Sequence, residues 1–134
     1  MADINLYPTP PASWRQLILL DDEACILASC DSIFCTKKLR ETGILEFFPL
    51  VESIFPNIVE LKPGHPEIRI HKISPIYRGL SGYYDFSFIR TDIDTRLPIL
   101  WTIYDFTRLY EDYYKNLQQK HDIEMARELL EMKF

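Results

Sequence analysis

The hydrophobic and polar positions of this chain change rhythm several times, and each change predicts an element. Trp-Arg-Gln-Leu-Ile-Leu-Leu at 14–20 and Ala-Cys-Ile-Leu-Ala-Ser at 24–29 are short apolar runs flanking the polar Asp21-Asp22-Glu23, which reads as a hairpin of two strands. Asp31 or Ser32 is placed to cap a short helix through about Leu39, with Ile33 and Phe34 as its apolar face, and Gly43 punctuates the chain after it. Over 44–61 the apolar positions 47, 48, 51, 54, 55 and 58 have helical spacing, but Pro49 and Pro56 forbid one long helix. Two short, well-buried helical segments with a bend are expected there, followed by a Pro63-Gly64-His65-Pro66 loop.

The second half alternates with period two. Residues 67–78 and 82–92 predict a hairpin around Gly79-Leu80-Ser81-Gly82, in which Tyr84, Phe86 and Phe88 share one face and Tyr83, Asp85 and Ser87 the other. After the polar turn 91–95, residues 97–104 form a last strand with Ile99, Trp101 and Ile103 on one face and Leu100 and Tyr104 on the other. A strand apolar on both faces is covered on both: one face by the domain's own helices, the other by the lead-in segment or a second copy of the chain. The expected fold class is therefore α+β, a five-stranded antiparallel sheet with short helices on one face and a long C-terminal helix. The divisions are an irregular lead-in at 1–13, which holds Pro8, Pro10 and Pro11, a domain at 14–107 and a helix at 108–134.

That helix carries the strongest functional pattern. Asp105 and Thr107 can cap it, Glu111 and Asp112 suit its positive end, and Glu111–Lys115 is a favourable pair one turn apart. Tyr110, Tyr113 (with Tyr114) and Leu117 form one apolar seam; Ile123, Ala126, Leu130 and Phe134 form another, out of phase across 120–122. A parallel two-stranded coiled coil whose register can shift is the expectation, set against the plainer reading of a solvated terminal helix.

Composition narrows the classes. With 47% hydrophobic residues among 134, the chain can build one compact core. A net charge of −5 argues against nucleic acid or anionic membranes as partner. No apolar run reaches 18 residues and Met1–Tyr7 lacks the features of a signal peptide, so membrane insertion is not expected and a cytoplasmic location is. Cys25, Cys30 and Cys35, five residues apart, do not match zinc spacing and read as small buried hydrophobes in a reducing compartment. His65, His71 and His121 are scattered and read as solvated or edge residues; the Asp21/Asp22 and Asp92/Asp94 pairs fall in turns. No nucleophile elbow, phosphate loop, zinc-protease or dinucleotide signature is present, and no catalytic or metal-binding residues are assigned.

Taken in order, four pieces resemble a PAS (Per-Arnt-Sim) sensory domain over about residues 14–110. Ile18-Leu-Leu-Asp-Asp-Glu-Ala-Cys-Ile26 is similar to the family's opening hairpin and Ile44-Leu-Glu-Phe-Phe-Pro-Leu-Val-Glu-Ser-Ile54 to its middle helices. Gly82-Tyr-Tyr-Asp-Phe-Ser-Phe88 is similar to its fourth strand, and Ile103-Tyr-Asp-Phe-Thr107 to the Asp-x-Thr that ends its last strand. Leu117-Gln-Gln-Lys-His121 is similar to the linker after such domains in bacterial sensors. Two departures stand out: Asp22-Glu23-Ala24 replaces a turn where glycine is common, and the family's Asn after the second strand has only Asp31 near its place.

The resemblance implies a bacterial signal-transduction module, as in two-component systems. It would be a homodimer that relays the state of a ligand or partner through its C-terminal helix to an output domain of the same or another protein, with Asp105 and Thr107 as coupling hinge. It also suggests cofactors, which the residues do not support. Cys35 lies in Ile-Phe-Cys-Thr-Lys-Lys, unlike the flavin motif Asn-Cys-Arg-Phe-Leu-Gln, and 44–61 hold no histidine for haem. What remains is an interior of Phe47, Phe48, Val51, Phe55, Tyr84, Phe86, Trp101 and Ile103, which either fills itself or holds an unknown small molecule oriented by Tyr84 or Trp101. A ligand-free adaptor is the alternative. A small cone-shaped α+β enzyme is the other, and would need an Asp–His pair facing a cavity, which the sequence does not display.

Overall fold

The computed structural model describes residues 14–74 and 80–132. Strand β1 (Arg15–Leu20) and strand β2 (Ile26–Ser29) form the opening hairpin. Helix α1 (Lys37–Thr42), a 3-10 turn at Ile44–Glu46 and helix α2 (Pro49–Ile58) come next. Strands β3 (Ile68–Ile73), β4 (Tyr84–Arg90) and β5 (Ile99–Asp105) then lead into helix α3 (Thr107–Glu131). The sheet is antiparallel throughout, in the order β2-β1-β5-β4-β3, so the first and last strands in sequence meet at its centre. This is the expected α+β class.

Register explains which side chains meet. Ile18 pairs with Trp101, Leu20 with Ile99, Phe86 with Ile103 and Phe88 with Trp101, and these residues form the face under the helices. All are fully or nearly fully buried, and Leu39, Ile44, Phe48, Val51, Phe55 and Ile58 close the core from the helical side. Trp101 sits at its centre, 5.1 Å from the Phe48 ring, 5.2 Å from Phe86 and 5.7 Å from Phe88. The opposite face carries Leu17, Leu19, Leu100, Thr102, Tyr104, Asp85, Ser87 and Arg69.

Three local expectations are corrected. Residues 31–36 are not helical, because the side chain of the buried Gln16 claims their backbone: it accepts the N–H groups of Ile33 (2.9 Å) and Phe34 (2.8 Å) and donates to the Phe34 carbonyl (3.0 Å). The helix starts at Lys37, with Leu39 rather than Ile33 and Phe34 as its buried residue. Pro56 lies inside α2 and not at a break; it is exposed in the last turn, and Pro49 takes the first position that suits proline. All three cysteines are exposed rather than buried. The turn after Asp21 closes without a glycine: the Asp21 carboxylate accepts the N–H groups of Glu23 and Cys25 (both 2.9 Å), and Ala24 adopts φ 64°. The expected lead-in at 1–13, Gly79 and Phe134 lie outside the described residues.

Arg90 fastens the loops at one end of the sheet. Its guanidinium donates to the carbonyls of Leu61 (2.9 Å), Val59 (2.8 Å) and Leu97 (2.9 Å), and pairs with Asp22 (2.7 Å). The arginine side chain is 7% exposed, whereas Asp22 is 67% exposed. Arg90→Ala leaves three carbonyls without their donor and is expected to cost about 3 kcal/mol in urea denaturation, while Asp22→Ala costs less than about 0.5 kcal/mol because an exposed ion pair contributes little.

Candidate functional site

Two features of the molecule have the makings of a site, one on each face of the sheet. The first is built around Asp85, which β4 places opposite Tyr104 on the face away from the core. Its side chain is 0% exposed, so its charge is held by protein donors alone. One carboxylate oxygen accepts the Lys72 N–H (2.9 Å) and the Tyr110 hydroxyl (3.0 Å); the other meets His71 Nδ1 (2.8 Å) and the Arg69 guanidinium (3.3 Å). The β3 strand reaches over the carboxylate because it bulges between Ile70 and Ile73, with Lys72 at φ 55°, which turns consecutive residues toward the same group.

This cluster ties the sheet to α3. Tyr110 comes from the first turn of that helix, and its ring lies 5.8 Å from Tyr83 and 6.4 Å from Phe106. One turn later Tyr114 receives the Lys72 ammonium, 4.1 Å from its ring centre. Arg69 lies over Tyr104 at 4.5 Å. At the helix start Asp105 accepts the Thr107 N–H (3.0 Å), Thr107 Oγ1 accepts the Tyr83 N–H (3.0 Å), and the Phe106 N–H reaches the Tyr83 carbonyl (3.0 Å). The N-cap position is Phe106, with no side-chain cap bond; Asp105, one residue before it, takes the Thr107 N–H, and the Thr107 hydroxyl binds Tyr83 instead of its own helix. Gly82, at φ 101°, permits this approach: a Cβ there would lie 2.3 Å from Thr107 Oγ1.

Beyond Tyr114 the helix runs on without burying any residue. Tyr113 is 59% and Leu117 49% exposed, so of the seam Tyr110–Tyr113–Leu117 only Tyr110 packs on the domain. Counting 100° per residue, that seam and Ile123–Ala126–Leu130 lie about 140° apart around a regular helix.

The second feature is a groove of about 420 Å³ on the core face, at the β3 side of the sheet. Phe47, Phe48, Pro49 and Leu50 line it from the start of α2, and Ile73 and Phe86 from the sheet. Its described polar lining is Glu46 and Ser74. Of the eight interior residues proposed from sequence, Phe47, Phe48 and Phe86 reach the groove. Val51, Phe55, Tyr84, Trp101 and Ile103 are buried in the core and do not line it. Tyr84 donates its hydroxyl to the Ser81 carbonyl (3.0 Å), and burial, with Asp105 adding to it, pushes that phenol up from its usual range. The Trp101 indole N–H is buried with no hydrogen-bond partner.

The Asp–His pair not displayed by the sequence does exist, in His71 and Asp85, but it lies across the sheet from the groove and its carboxylate is enclosed by donors. His71 is an edge-strand histidine as expected, 40% exposed, and it meets the Asp85 carboxylate as well. A signal was present: Asp85 interrupts an aromatic strand, and Arg69 and His71 recur two apart on the preceding one. What hid it was the bulge, which sequence alternation does not reveal. His65 Nδ1 accepts the Lys62 N–H (3.1 Å) in its loop. No group of three or more metal-ligating side chains occurs among the described residues, and no described helix is long and apolar enough to cross a membrane.

Gly82→Ala is expected to cost about 2 kcal/mol or more, since alanine disfavours positive φ and its methyl displaces Thr107. Tyr110→Phe, which removes one donor from a buried carboxylate, is expected to cost roughly 1–2 kcal/mol. Both should speed amide hydrogen exchange over residues 107–114 while leaving β1 and β5 protected.

No protein-family model matches this chain, and no curated protein is significantly similar to it.

Proposed function

We propose that this domain is a sensory and dimerisation module of the PAS type, acting in the cytoplasm of a bacterial signalling protein. It would relay the state of a ligand or partner through α3 to an output domain, without haem or flavin. The observation that carries the reading is the attachment of α3. Among the described residues, a 25-residue helix with no buried residue is fixed to the sheet at its root, through Tyr110 on Asp85, Thr107 on Tyr83 and Tyr114 on Lys72. The element order agrees with the resemblance: two strands, short helices, three strands and a long helix.

A ligand acts on such a device only by binding one arrangement better than another. Phe86 lines the groove from the core face while its neighbour Asp85 holds Tyr110 on the other, so a displacement of β4 is felt on both sides of the sheet. The two opposed apolar seams of α3 give its dimer two ways to pair, one through Tyr110–Tyr113–Leu117 and one through Ile123–Ala126–Leu130. The tight aromatic packing around Trp101 favours a second reading, an adaptor with a filled core that responds to a partner protein alone.

Sedimentation equilibrium tests the dimer. The wild-type chain is expected to dimerise, and Tyr113→Asp or Leu117→Asp to weaken that by at least about tenfold, as charge enters an apolar seam. A wild-type monomer, or dimers indifferent to both substitutions, removes the coiled-coil part of the reading.

A further inference from the structure

Among the described residues, Trp101 presents an unexplained polar atom. The side chain is 0% exposed and at the centre of the core, yet its indole N–H donates to nothing. A buried donor without an acceptor is unfavourable by roughly 1–3 kcal/mol, and a phenylalanine would fill much of the same space without that cost. The rings around it offer at most a weak N–H···π contact: Phe48 lies at 5.1 Å with an interplanar angle of 86°, and Phe86 at 5.2 Å with 76°.

Those same two rings line the 420 Å³ groove, so the orphaned donor stands one side chain behind its lining. Phe48 is also the residue at which the chain enters α2, with φ −129° and ψ 79° and no side-chain cap. A guest that reached the indole from the groove would have to displace the Phe48 ring, which is 2% exposed. The remaining lining determines the chemistry of a guest. It is apolar except for Ser74 and Glu46, and its only charged described side chain is the Glu46 carboxylate, in a chain of net charge −5. An anionic guest would meet repulsion with no described cation beside it.

We infer that the groove takes a small, uncharged aromatic molecule bearing one hydrogen-bond acceptor, a carbonyl or ether oxygen, and that this oxygen accepts the Trp101 indole N–H when the Phe48 ring moves aside. The inference rests on the ligand-sensing reading above and gives the class of its ligand. The apolar body lies on Phe47, Phe86 and Ile73, and the acceptor supplies the bond that the Trp101 N–H lacks.

The test uses the indole proton itself. In ¹⁵N-labelled chain carrying Trp14→Phe, the remaining indole resonance belongs to Trp101. Acetophenone, toluene and benzoate serve as probes: a ring with a carbonyl, the ring with a methyl, and the ring with a charge. Acetophenone is expected to move the indole resonance downfield and to bind at least about tenfold more tightly than toluene, the worth of one hydrogen bond. Benzoate should bind more weakly than acetophenone. Trp101→Phe should bind acetophenone and toluene alike. An indole resonance unmoved at about 10 mM acetophenone, a fragment-level concentration, overturns the inference, as does equal binding of acetophenone and toluene to the chain with Trp101 intact; that comparison needs no substitution at Trp101. If acetophenone moves Trp101 but leaves hydrogen exchange over 107–117 unchanged, the relay reading fails while the ligand class stands. If Tyr110→Phe alters exchange along α3 but acetophenone leaves Trp101 untouched, the relay stands and this inference fails.

Discussion

A carboxylate cut off from water has to be surrounded by donors, and the arrangement of half this molecule depends on how Asp85 meets that requirement. Its four partners come from β3 and from α3, two elements that no covalent neighbourhood brings together. Each partner is then positioned by something else. Lys72 at positive φ lets the bulged strand fold over the carboxylate, Arg69 rests on Tyr104, and Tyr110 wedges against Tyr83 and Phe106. Removing one donor leaves a buried charge underserved, so the cluster holds or loosens as a unit.

The two faces of the sheet consequently have different characters. The core face is dry and aromatic, and dispersion between rings at 5–6 Å holds it, with little directional demand. The outer face near α3 is directional where Asp85 and Thr107 meet their donors and acceptors, and ring and cation–π contacts of Tyr83, Tyr104 and Tyr114 flank those bonds. Strand β4 belongs to both: Phe86 on one side and Asp85 on the other are consecutive residues, so neither face can shift alone. This is a short mechanical path between an apolar groove and a helix, and it needs no long chain of intermediaries.

Helix α3 itself is governed by what it lacks. With no buried residue, its stability beyond the first turns comes from helix propensity and local pairs such as Gln118–Asp122 at 2.9 Å, which are small terms. Its exposed Leu117, Ile123, Leu129 and Leu130 are apolar surface in contact with water. Burial of that surface against a second helix is the large favourable term still open to it, and the opposition of its two seams means that a straight pair can use only one at a time.

Much of the fold was legible in the chain because its strands are dictated by local alternation. Ile99, Trp101 and Ile103 point one way and Leu100 and Tyr104 the other simply because strand side chains alternate, and the pairing of β4 with β5 sets Phe86 against Ile103 and Phe88 against Trp101, apolar side to apolar side. The start of α3, expected at 108 and found at Thr107, was legible to within one residue for the same local reason, an acid just upstream of a helical run. The 31–36 segment was not, because a single buried glutamine on another strand outcompetes its helical hydrogen bonds. Nor was the Asp85 cluster: alternation assigns Asp85 to a face but is silent on the bulge that brings in His71 and Lys72 and on the helix that delivers Tyr110. The sequence by itself thus determined the elements, their order and which face of each is apolar, since these depend on neighbours one to four residues away. Only the tertiary structure decided where Asp85 finds its donors, that Trp101 lacks an acceptor and that Phe48 and Phe86 border an open groove, since each depends on residues brought together from distant strands and helices.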